Sequence, residues 1–196
     1  MLLQHLVVLA FVQTAWSQVL KEERIEVQLE DAVNVNDTSQ WRWRSNAGND
    51  KTARFYFPGG FITLTLCVEP DDPAFGVTVR FKGVRYSNDG RADKVYAYMD
   101  GQPVGSERVL KENSWKGKLW NFFHDSGWND NSFTLTPGKH EFRIDAATDI
   151  GINVHTDIFT EGLELDAAVF DVVNLRNATE FLCGTEFHQV LHTPPK

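Results

Sequence analysis

The strongest constraint on the fold of this chain is an alternation of apolar and polar residues with a period of two. In the segment FITLTLCV, residues 61–68, aliphatic side chains occupy every second position from Ile62 to Val68. Successive side chains of a β-strand point to opposite faces, so this pattern is typical of a strand with one buried face. The segment VTVRFK, residues 77–82, repeats the pattern. The middle of the chain is therefore predicted to consist of half-buried β-strands.

Turn residues between the strand-like segments predict hairpins. Asp100-Gly101 follows the segment KVYAYM, and an Asp-Gly pair is a favoured two-residue hairpin turn. Pro137-Gly138 separates two further strand-like segments and suits a second turn. The segment LELDAAVFDVV, residues 163–173, supplies a late strand.

The spacing of these short strands indicates the architecture. Several strands separated by turns, with hardly any helical periodicity, are typical of two antiparallel sheets packed face to face. We therefore predict an all-β fold, an antiparallel two-sheet β-sandwich. Only the tail at 178–192 offers a short helix, which Thr193-Pro194-Pro195 would end.

The length and the first residues of the chain predict its domain organisation. A chain of 196 residues is long enough for one domain with a sizeable core. Residues 1–17 combine an apolar run with the small residues Ala15 and Ser17, in the positions that signal peptidase prefers. We expect a signal peptide at 1–17, a β-sandwich domain at 18–175 and a C-terminal extension at 176–196. The mature protein is therefore expected to be secreted and extracellular; the alternative is that residues 1–17, which begin without a Lys or Arg, stay as an uncleaved anchor. No later apolar stretch is long enough to cross a bilayer.

Secretion would allow the cysteines to form a disulfide and two asparagines to be glycosylated. Cys67 and Cys183 are the only cysteines, and an even pair in an oxidising compartment most simply forms one disulfide. That bond would staple the C-terminal extension to the domain. Asn36 and Asn177 each begin an Asn-X-Thr sequence, which is the acceptor pattern for N-glycosylation and implies an exposed loop.

The net charge of the chain limits the classes of partner that we expect it to bind. The formal net charge is −8 at pH 7. A nucleic-acid backbone or an anionic membrane would repel such a protein at long range, so neither is expected as its principal partner. The charge names no partner by itself, and it indicates no particular oligomeric state.

Four segments follow one another in an order that is found in a known family. They are VQLEDA, VYAYMDGQPVG, FTLTPGKHEFRI and GLELDAAV, which begin at residues 27, 95, 133 and 162. In this order they resemble the opening strand, two hairpins and the last strand of the carbohydrate-binding modules of families six and thirty-five. Those modules are β-jelly-rolls of the galactose-binding-like type, and the likeness spans most of the chain from Ile25 to Val173.

The resemblance implies a structural calcium site where the first and last strands meet. Glu30 occupies the place of one carboxylate ligand of the family, Gln28 the place of another, and Asp166 that of the aspartate on the last strand. Calcium prefers six to eight oxygen ligands, and a neutral amide at Gln28 offers an oxygen without a charge. Weakened calcium binding is one expectation; the other is that Glu30 and Asp166 are solvated residues at strand ends.

Tryptophans are the candidate contacts to a sugar, because an aromatic face stacks on the C–H groups of a sugar ring. In the resembling modules a loop carries such a tryptophan, and here Trp115, Trp120 and Trp128 lie in the polar stretch 112–131. The resemblance places Asn153 near these rings. Trp41 and Trp43 alternate with arginines, so they are either buried on a strand or exposed as a platform; we expect at least one in the core and retain Trp43 as a candidate contact.

These observations favour a binding protein over an enzyme. The sequence has no nucleophile elbow, no zinc protease motif and no phosphate loop. The leading hypothesis is a secreted, non-catalytic, lectin-like protein that binds a glycan or glycoprotein through loop aromatics. The alternative is an extracellular protein that recognises another protein in the matrix or at a cell surface. A glycoside hydrolase is the third hypothesis, since the separation of two catalytic carboxylates depends on the fold.

Overall fold

The computed structural model describes residues 20–30, 34–35, 39–43, 46–48, 51–55, 60–88, 93–111, 123–128, 132–147, 163–184 and 189–192. The predicted signal peptide lies outside them. The described strands, in chain order, are β1 (Glu22–Gln28), β2 (Asn34–Val35), β3 (Ser39–Trp43), β4 (Lys51–Phe55), β5 (Phe61–Val68), β6 (Val77–Asn88), β7 (Asp93–Met99), β8 (Gln102–Pro103), β9 (Arg108–Leu110), β10 (His124–Asp125), β11 (Ser132–Leu135), β12 (Gly138–Ala146), β13 (Leu163–Val173) and β14 (Gln189–His192). None of the described residues forms an apolar helix of the length that a bilayer crossing needs.

The strands form two antiparallel sheets, which confirms the predicted β-sandwich. Sheet I contains β1, β3, β4, β6, β10, β11, β13 and β14, and sheet II contains β2, β5, β7, β8, β9 and β12. Strand β13 is central to sheet I, because it pairs with β1, β4 and β6. Strand β12 is central to sheet II, where it pairs with β5 on one side and β7 on the other. The first and last long strands, β1 and β13, are therefore neighbours, as the resemblance implies.

The core lies between the inner faces of the two sheets. The predicted alternation on β5 is confirmed, because Ile62, Leu64, Leu66 and Val68 are all buried. A cluster of phenylalanines joins the sheets: the ring centroids of Phe142 on β12 and Phe170 on β13 are 4.9 Å apart. Rings of this size bury more apolar surface than any aliphatic residue and hold the two layers together.

The hairpin turn at Asp100-Gly101 forms between β7 and β8 as predicted. Both residues have positive φ angles, 49° and 74°, which is the conformation that a type I′ turn requires and that Asp-Gly tolerates. The Asp100 carboxylate accepts a hydrogen bond from the Glu141 N–H at 2.8 Å. Its other oxygen is 2.6 Å from Nδ1 of His140, whose Nε2 is 2.8 Å from the Thr136 carbonyl oxygen. Both ring nitrogens therefore face acceptors, which favours the protonated imidazole.

This contact predicts a pH-dependent contribution to stability. Burial disfavours the protonated ring, but the hydrogen bonds to Asp100 and to the Thr136 carbonyl outweigh it and raise the pKa of His140 above 6.5. The stabilisation is therefore fully present below 6.5 and is lost as the pH rises through the raised pKa of the folded state. Because Asp100 is half exposed, we expect roughly 0.5–1 kcal/mol. Urea unfolding from mildly acidic to alkaline pH should show this loss in the native chain and not in His140→Gln; parallel pH curves for the two proteins would contradict it.

The C-terminal tail differs from the predicted short helix. One 3-10 turn forms at Ala178–Glu180, and Gln189–His192 is a strand that pairs with β1. Pairing with β1 supplies the tail with backbone hydrogen bonds that an isolated short helix would have to make within itself, so sheet formation prevails here. The tail therefore belongs to sheet I, whereas the expected domain boundary at residue 175 stays a prediction.

A disulfide joins the tail to the other sheet. Cys67 on β5 of sheet II is bonded to Cys183, with their Cα atoms 5.1 Å apart. Backbone hydrogen bonds run beside the bond: the Cys67 N–H donates to the Phe181 carbonyl at 2.7 Å, and the Cys183 N–H donates to the Thr65 carbonyl at 2.9 Å. The predicted pairing of the two cysteines is thus present, and it fixes the segment that follows β13 against sheet II.

Candidate functional site

Trp128 is not the exposed platform that the sequence analysis predicts. Its side chain is only 8 % exposed. Its indole Nε1 donates a hydrogen bond to the Val104 carbonyl oxygen at 2.6 Å, and its ring centroid is 4.9 Å from that of Phe81. The ring is therefore part of the core and not an exposed platform, because the short segment that carries Trp128 folds the ring inward.

The other predicted aromatic contacts are only partly described. Trp115, Trp120 and Asn153 lie outside the described residues. Trp41 and Trp43 lie on β3, where their backbones pair with Ala53 and Lys51 of β4. The positions of their rings lie outside what the structure describes. The expectation that at least one ring is buried, with Trp43 as a candidate sugar contact, therefore stays a prediction.

Asn177 lies at the start of the 3-10 turn, and its side-chain oxygen accepts hydrogen bonds from the Thr179 N–H and hydroxyl. It lines a groove of about 900 Å³ together with Cys67 and Cys183. The described lining of this groove contains no aromatic ring to stack on a sugar. The second predicted glycosylation site, Asn36, lies outside the described residues.

The three predicted calcium ligands lie at the junction of β1 and β13. Gln28, at the end of β1, pairs with Ala167, and the next residue, Leu29, donates its N–H to the Asp166 carbonyl at 2.8 Å. The side chains of Gln28 and Asp166 are fully buried, and Glu30 is half buried. The sequence resemblance thus placed these residues correctly relative to the strands.

A guanidinium group already faces the Asp166 carboxylate. Arg85, from β6, places Nη1 3.0 Å from Oδ2 of Asp166, and Oδ1 accepts a hydrogen bond from the Gly48 N–H at 2.8 Å. Burial raises the pKa of Asp166 to about 6, although the Gly48 hydrogen bond and the Arg85 charge oppose the shift. At neutral pH the carboxylate is therefore mostly ionised and is paired with an arginine.

Two of these residues keep a buried oxygen that accepts no hydrogen bond from the described residues, Oε1 of Gln28 and Oδ2 of Asp166, so calcium binding at this junction stays a prediction. An ion at 2.3–2.6 Å from Oδ2 of Asp166 would compete with the Arg85 guanidinium for the same oxygen and would be repelled by its charge. The backbone of Gly48 lies against Oε1 of Gln28, and a methyl group added at Gly48 would come within 2.2 Å of that oxygen. Among the described residues, no three carboxylate, histidine or cysteine side chains are grouped so that they could hold a metal ion.

A different surface combines aromatic and charged groups: the outer face of sheet II, defined here by Phe61, Tyr96, Tyr98, Arg143 and Asp145. The strand register brings these residues together, because Arg143 pairs with Tyr98, and Asp145 pairs with Tyr96 and, on the other side, with Phe61. All five side chains are half buried. They alternate with core residues such as Ile144 and Ala97, so they point away from the core.

Contacts within the outer face of sheet II hold its polar groups in place. The Arg143 guanidinium lies 4.0 Å from the centre of the Phe61 ring, and its Nε donates a hydrogen bond to the Asp145 carboxylate. That hydrogen bond raises the pKa of Arg143, and partial burial of the guanidinium offsets part of the rise. The Tyr96 hydroxyl donates to the Glu107 carboxylate at 2.8 Å, and Lys94 lies 3.3 Å from its other oxygen. The surface thus presents aromatic rings beside oriented donors and acceptors, on a hydrogen-bonded sheet.

Comparisons with known proteins bear on the fold. No protein-family model and no curated protein sequence matches this chain. Among solved structures, a native family 35 carbohydrate binding module from Clostridium thermocellum matches with a TM-score of 0.52 and 15% identity, over 75% of this chain and 96% of that one. The chain has the fold of a family 35 carbohydrate binding module. This confirms, for the fold, the resemblance predicted from the four sequence segments.

Two further solved structures match this fold, again at low sequence identity and over most of this chain. A second structure of a family 35 module from Clostridium thermocellum matches with a TM-score of 0.50 and 12% identity, over 76% of this chain and 97% of that one. A Paenibacillus cycloisomaltooligosaccharide glucanotransferase, complexed with cycloisomaltoheptaose, matches with a TM-score of 0.52 and 15% identity, over 73% of this chain. The match spans only 17% of the length of that enzyme.

The sequence analysis did not identify the outer face of sheet II as a candidate site, although part of its pattern is present in the sequence. Tyr96 and Tyr98 stand two apart on a predicted strand, so a shared face was already implied. Their position beside Arg143 depends on the pairing of β7 with β12, and that register is set by the whole sheet. Arg85 carried no local signal, since an arginine on a strand is usually a solvated residue.

Proposed function

We propose that this protein is a secreted, non-catalytic carbohydrate-binding protein whose outer face of sheet II contacts a glycan or glycoprotein. The observation that carries the proposal is the set of aromatic rings beside Arg143 and Asp145 on one face of sheet II. Fold alone does not determine function, so this site, rather than the likeness to family 35 modules, is the main argument.

The chemistry of a sugar explains why such a surface suits it. One side of a pyranose ring exposes C–H groups that pack on aromatic faces, and its rim carries hydroxyls that need donors and acceptors. Tyr96, Tyr98 and Phe61 offer rings, while Arg143 and Asp145 offer N–H donors and carboxylate acceptors. Because the side chains are held by strand pairing and by one another, little conformational entropy is lost on binding. The known structures with this fold support the proposal, since the family 35 modules are carbohydrate binding modules by name.

The remaining sequence predictions form part of this proposal. Secretion rests on the signal peptide predicted at 1–17, and it agrees with the disulfide. Asn36 and Asn177 are the proposed glycosylation sites. Trp115, Trp120, Trp43 and Asn153 are proposed further contacts to a glycan; the backbone of Trp43 lies on β3 of sheet I and not on the outer face of sheet II.

A glycan array with matched variants tests the proposal. The chain from residue 18 onward, expressed through an oxidising secretory route, is expected to retain one class of glycan. Arg143→Ala should weaken that binding at least about tenfold, because a hydrogen bond to a charged group contributes about 1.5–3 kcal/mol. The matched control is Arg80→Ala, which removes a half-buried arginine from β6 of sheet I. Calorimetry with the retained glycan measures both affinities.

Three results would contradict the proposal in different ways. Equal affinities for Arg143→Ala and the native chain would show that the outer face of sheet II is not the site. Binding only to a protein partner, with no glycan retained, would favour the alternative of protein recognition. Release of reducing sugar from the retained glycan would show that the protein is an enzyme.

A further inference from the structure

We propose that the groove beside the disulfide holds the first sugars of an N-glycan that this chain carries on Asn177, and that this glycan shields the Cys67–Cys183 bond from thiols. The groove has a volume of about 900 Å³ and is lined by Asn177 and by both cysteines. Both parts of the proposal rest on the secretion and the Asn177 glycosylation proposed above.

The point of attachment lies at the groove itself. Asn177 begins an Asn-X-Thr acceptor sequence, and its side chain is half buried. The Thr179 N–H and hydroxyl donate to Oδ1 of Asn177 at 3.1 and 2.8 Å, and neither bond uses Nδ2, the atom that would carry the sugar. A glycan joined to Nδ2 therefore begins at the groove, and the covalent link keeps its effective concentration there high.

The attachment step uses a donor of the secretory pathway, an oligosaccharide on a lipid pyrophosphate. Nδ2 of Asn177 forms a bond to the anomeric carbon of the first sugar and loses a proton. The bond from that carbon to the pyrophosphate breaks, and its electron pair leaves with the phosphate oxygen. Because Oδ1 takes no part, its hydrogen bonds from Thr179 are compatible with the glycosylated side chain.

Two parts of the chain line the groove, and contacts within the protein fix one against the other. The first part is the end of β5 beside the start of β12, where Cys67 pairs with Lys139. The second is the segment 175–184, in which the Arg176 N–H donates to the Glu69 carbonyl at 2.8 Å. The disulfide adds a covalent link between the two parts. A groove that is fixed in this way loses little conformational entropy when sugars enter it.

The lining favours an attached sugar over a free one. It combines apolar residues with exposed charged ones, among them Pro137, Leu175, Leu182, Lys139 and Glu180. These groups suit the C–H groups and the hydroxyls of a sugar, and pockets of about 300–1,000 Å³ bury most of a drug-sized ligand. The described lining has no aromatic ring, which a free sugar needs for stacking. A sugar that is already tethered at the groove does not need that affinity.

The disulfide lies where such a glycan would cover it. Both cysteines are half buried and line the groove, which is therefore the route by which a thiol reaches the bond. Thiol–disulfide exchange requires a thiolate to attack one of the two sulfur atoms. Sugars that fill the groove block that approach.

The rate of reduction by dithiothreitol tests the proposal. The full chain is secreted by an N-glycosylating cell, and peptide mass spectrometry should find a glycan on Asn177. In native buffer its disulfide should be reduced several-fold more slowly than that of Asn177→Gln. The matched control Asn36→Gln removes the other acceptor sequence and should be reduced as slowly as the native chain. In denaturing urea all three should be reduced at one rate, because an unfolded chain has no groove.

A comparison within one sequence separates the glycan from the hydrogen bonds of Asn177. Asn36→Gln made in a bacterial periplasm that does not N-glycosylate differs from the secreted form only in the glycan on Asn177. It should be reduced several-fold faster than the secreted form. Equal rates for these two proteins would overturn the proposal, as would a secreted chain that carries no glycan on Asn177.

The glycan array distinguishes this proposal from the proposed function. Cys67 and Phe61 lie near opposite ends of β5, about 20 Å apart along the strand, so the groove is separate from the outer face of sheet II. A shielded disulfide in a protein that retains no glycan on the array would refute the binding function alone. A retained glycan with an unshielded disulfide would refute the groove proposal alone.

Discussion

Replacing Trp128 with alanine is expected to lower the free energy of unfolding by about 3–5 kcal/mol, the largest effect of any single substitution that we consider. The indole is nearly completely buried and packs against Phe81, within the cluster that joins the two sheets. Its removal leaves a cavity, and it also leaves the Val104 carbonyl without the donor that it has at 2.6 Å. Both the lost packing and the unsatisfied oxygen destabilise the folded chain.

Chemical denaturation measures this loss, and Trp128→Phe is the matched control. Phenylalanine keeps much of the buried surface but lacks the N–H donor, so we expect it to lose about 1–3 kcal/mol. Because the ring faces the core, Trp128→Phe should bind any retained glycan as the native chain does. If Trp128→Ala unfolds as the native chain does but loses glycan binding, the ring is a binding surface and this account of the core is wrong.

Reduction of the Cys67–Cys183 disulfide is expected to destabilise the protein by about 2–5 kcal/mol. The two cysteines are separated by 116 residues in sequence, so the bond closes a long loop and restricts the unfolded chain strongly. In the folded state it also fixes the tail beside β5, where the Cys67 and Cys183 N–H groups make backbone hydrogen bonds. Both contributions disappear when the bond is reduced, although the folded contacts keep the sheets paired.

Thermal unfolding with and without reductant measures this contribution. The double variant Cys67→Ala, Cys183→Ala should unfold at about the Tm of the reduced native chain, and reductant should not change it further. A native chain whose Tm is unaffected by complete reduction, checked by thiol titration, would contradict a stabilising role for this bond.

Much of the fold was predictable because its signals are local. The alternation on β5 and the Asp100-Gly101 turn each depend on a few neighbouring residues, and both formed as predicted. The tail was not predictable in this way. Strand β14 exists because β1 offers it a partner, and β1 is more than 160 residues away in the sequence. A short segment that gains its hydrogen bonds from a distant strand carries little local signal of that pairing.

The candidate site was less predictable than the fold. The resemblance placed Gln28 and Asp166 at one junction correctly, but the third partner, Arg85, comes from a strand that the motifs do not include. For Trp128, residue type and a polar neighbourhood suggested an exposed ring, whereas burial is decided by the path of the segment over the core. The outer face of sheet II depends on the register of β5, β7 and β12, and neither predicted hairpin joins two of them. The hairpin predicted at Pro137-Gly138 does not form, because β11 pairs in sheet I and β12 in sheet II.

The most direct test of the proposed function is the location of the bound glycan on the chain. Amide chemical shifts of the isotope-labelled mature protein, measured by NMR during titration with the retained saccharide, report which backbone segments it contacts. The account predicts the largest shifts on β5, β7 and β12, centred on Phe61, Tyr98 and Arg143, with little change on β6 and β13. Shifts confined to sheet I or to residues 112–122, with β7 and β12 unaffected, would contradict it.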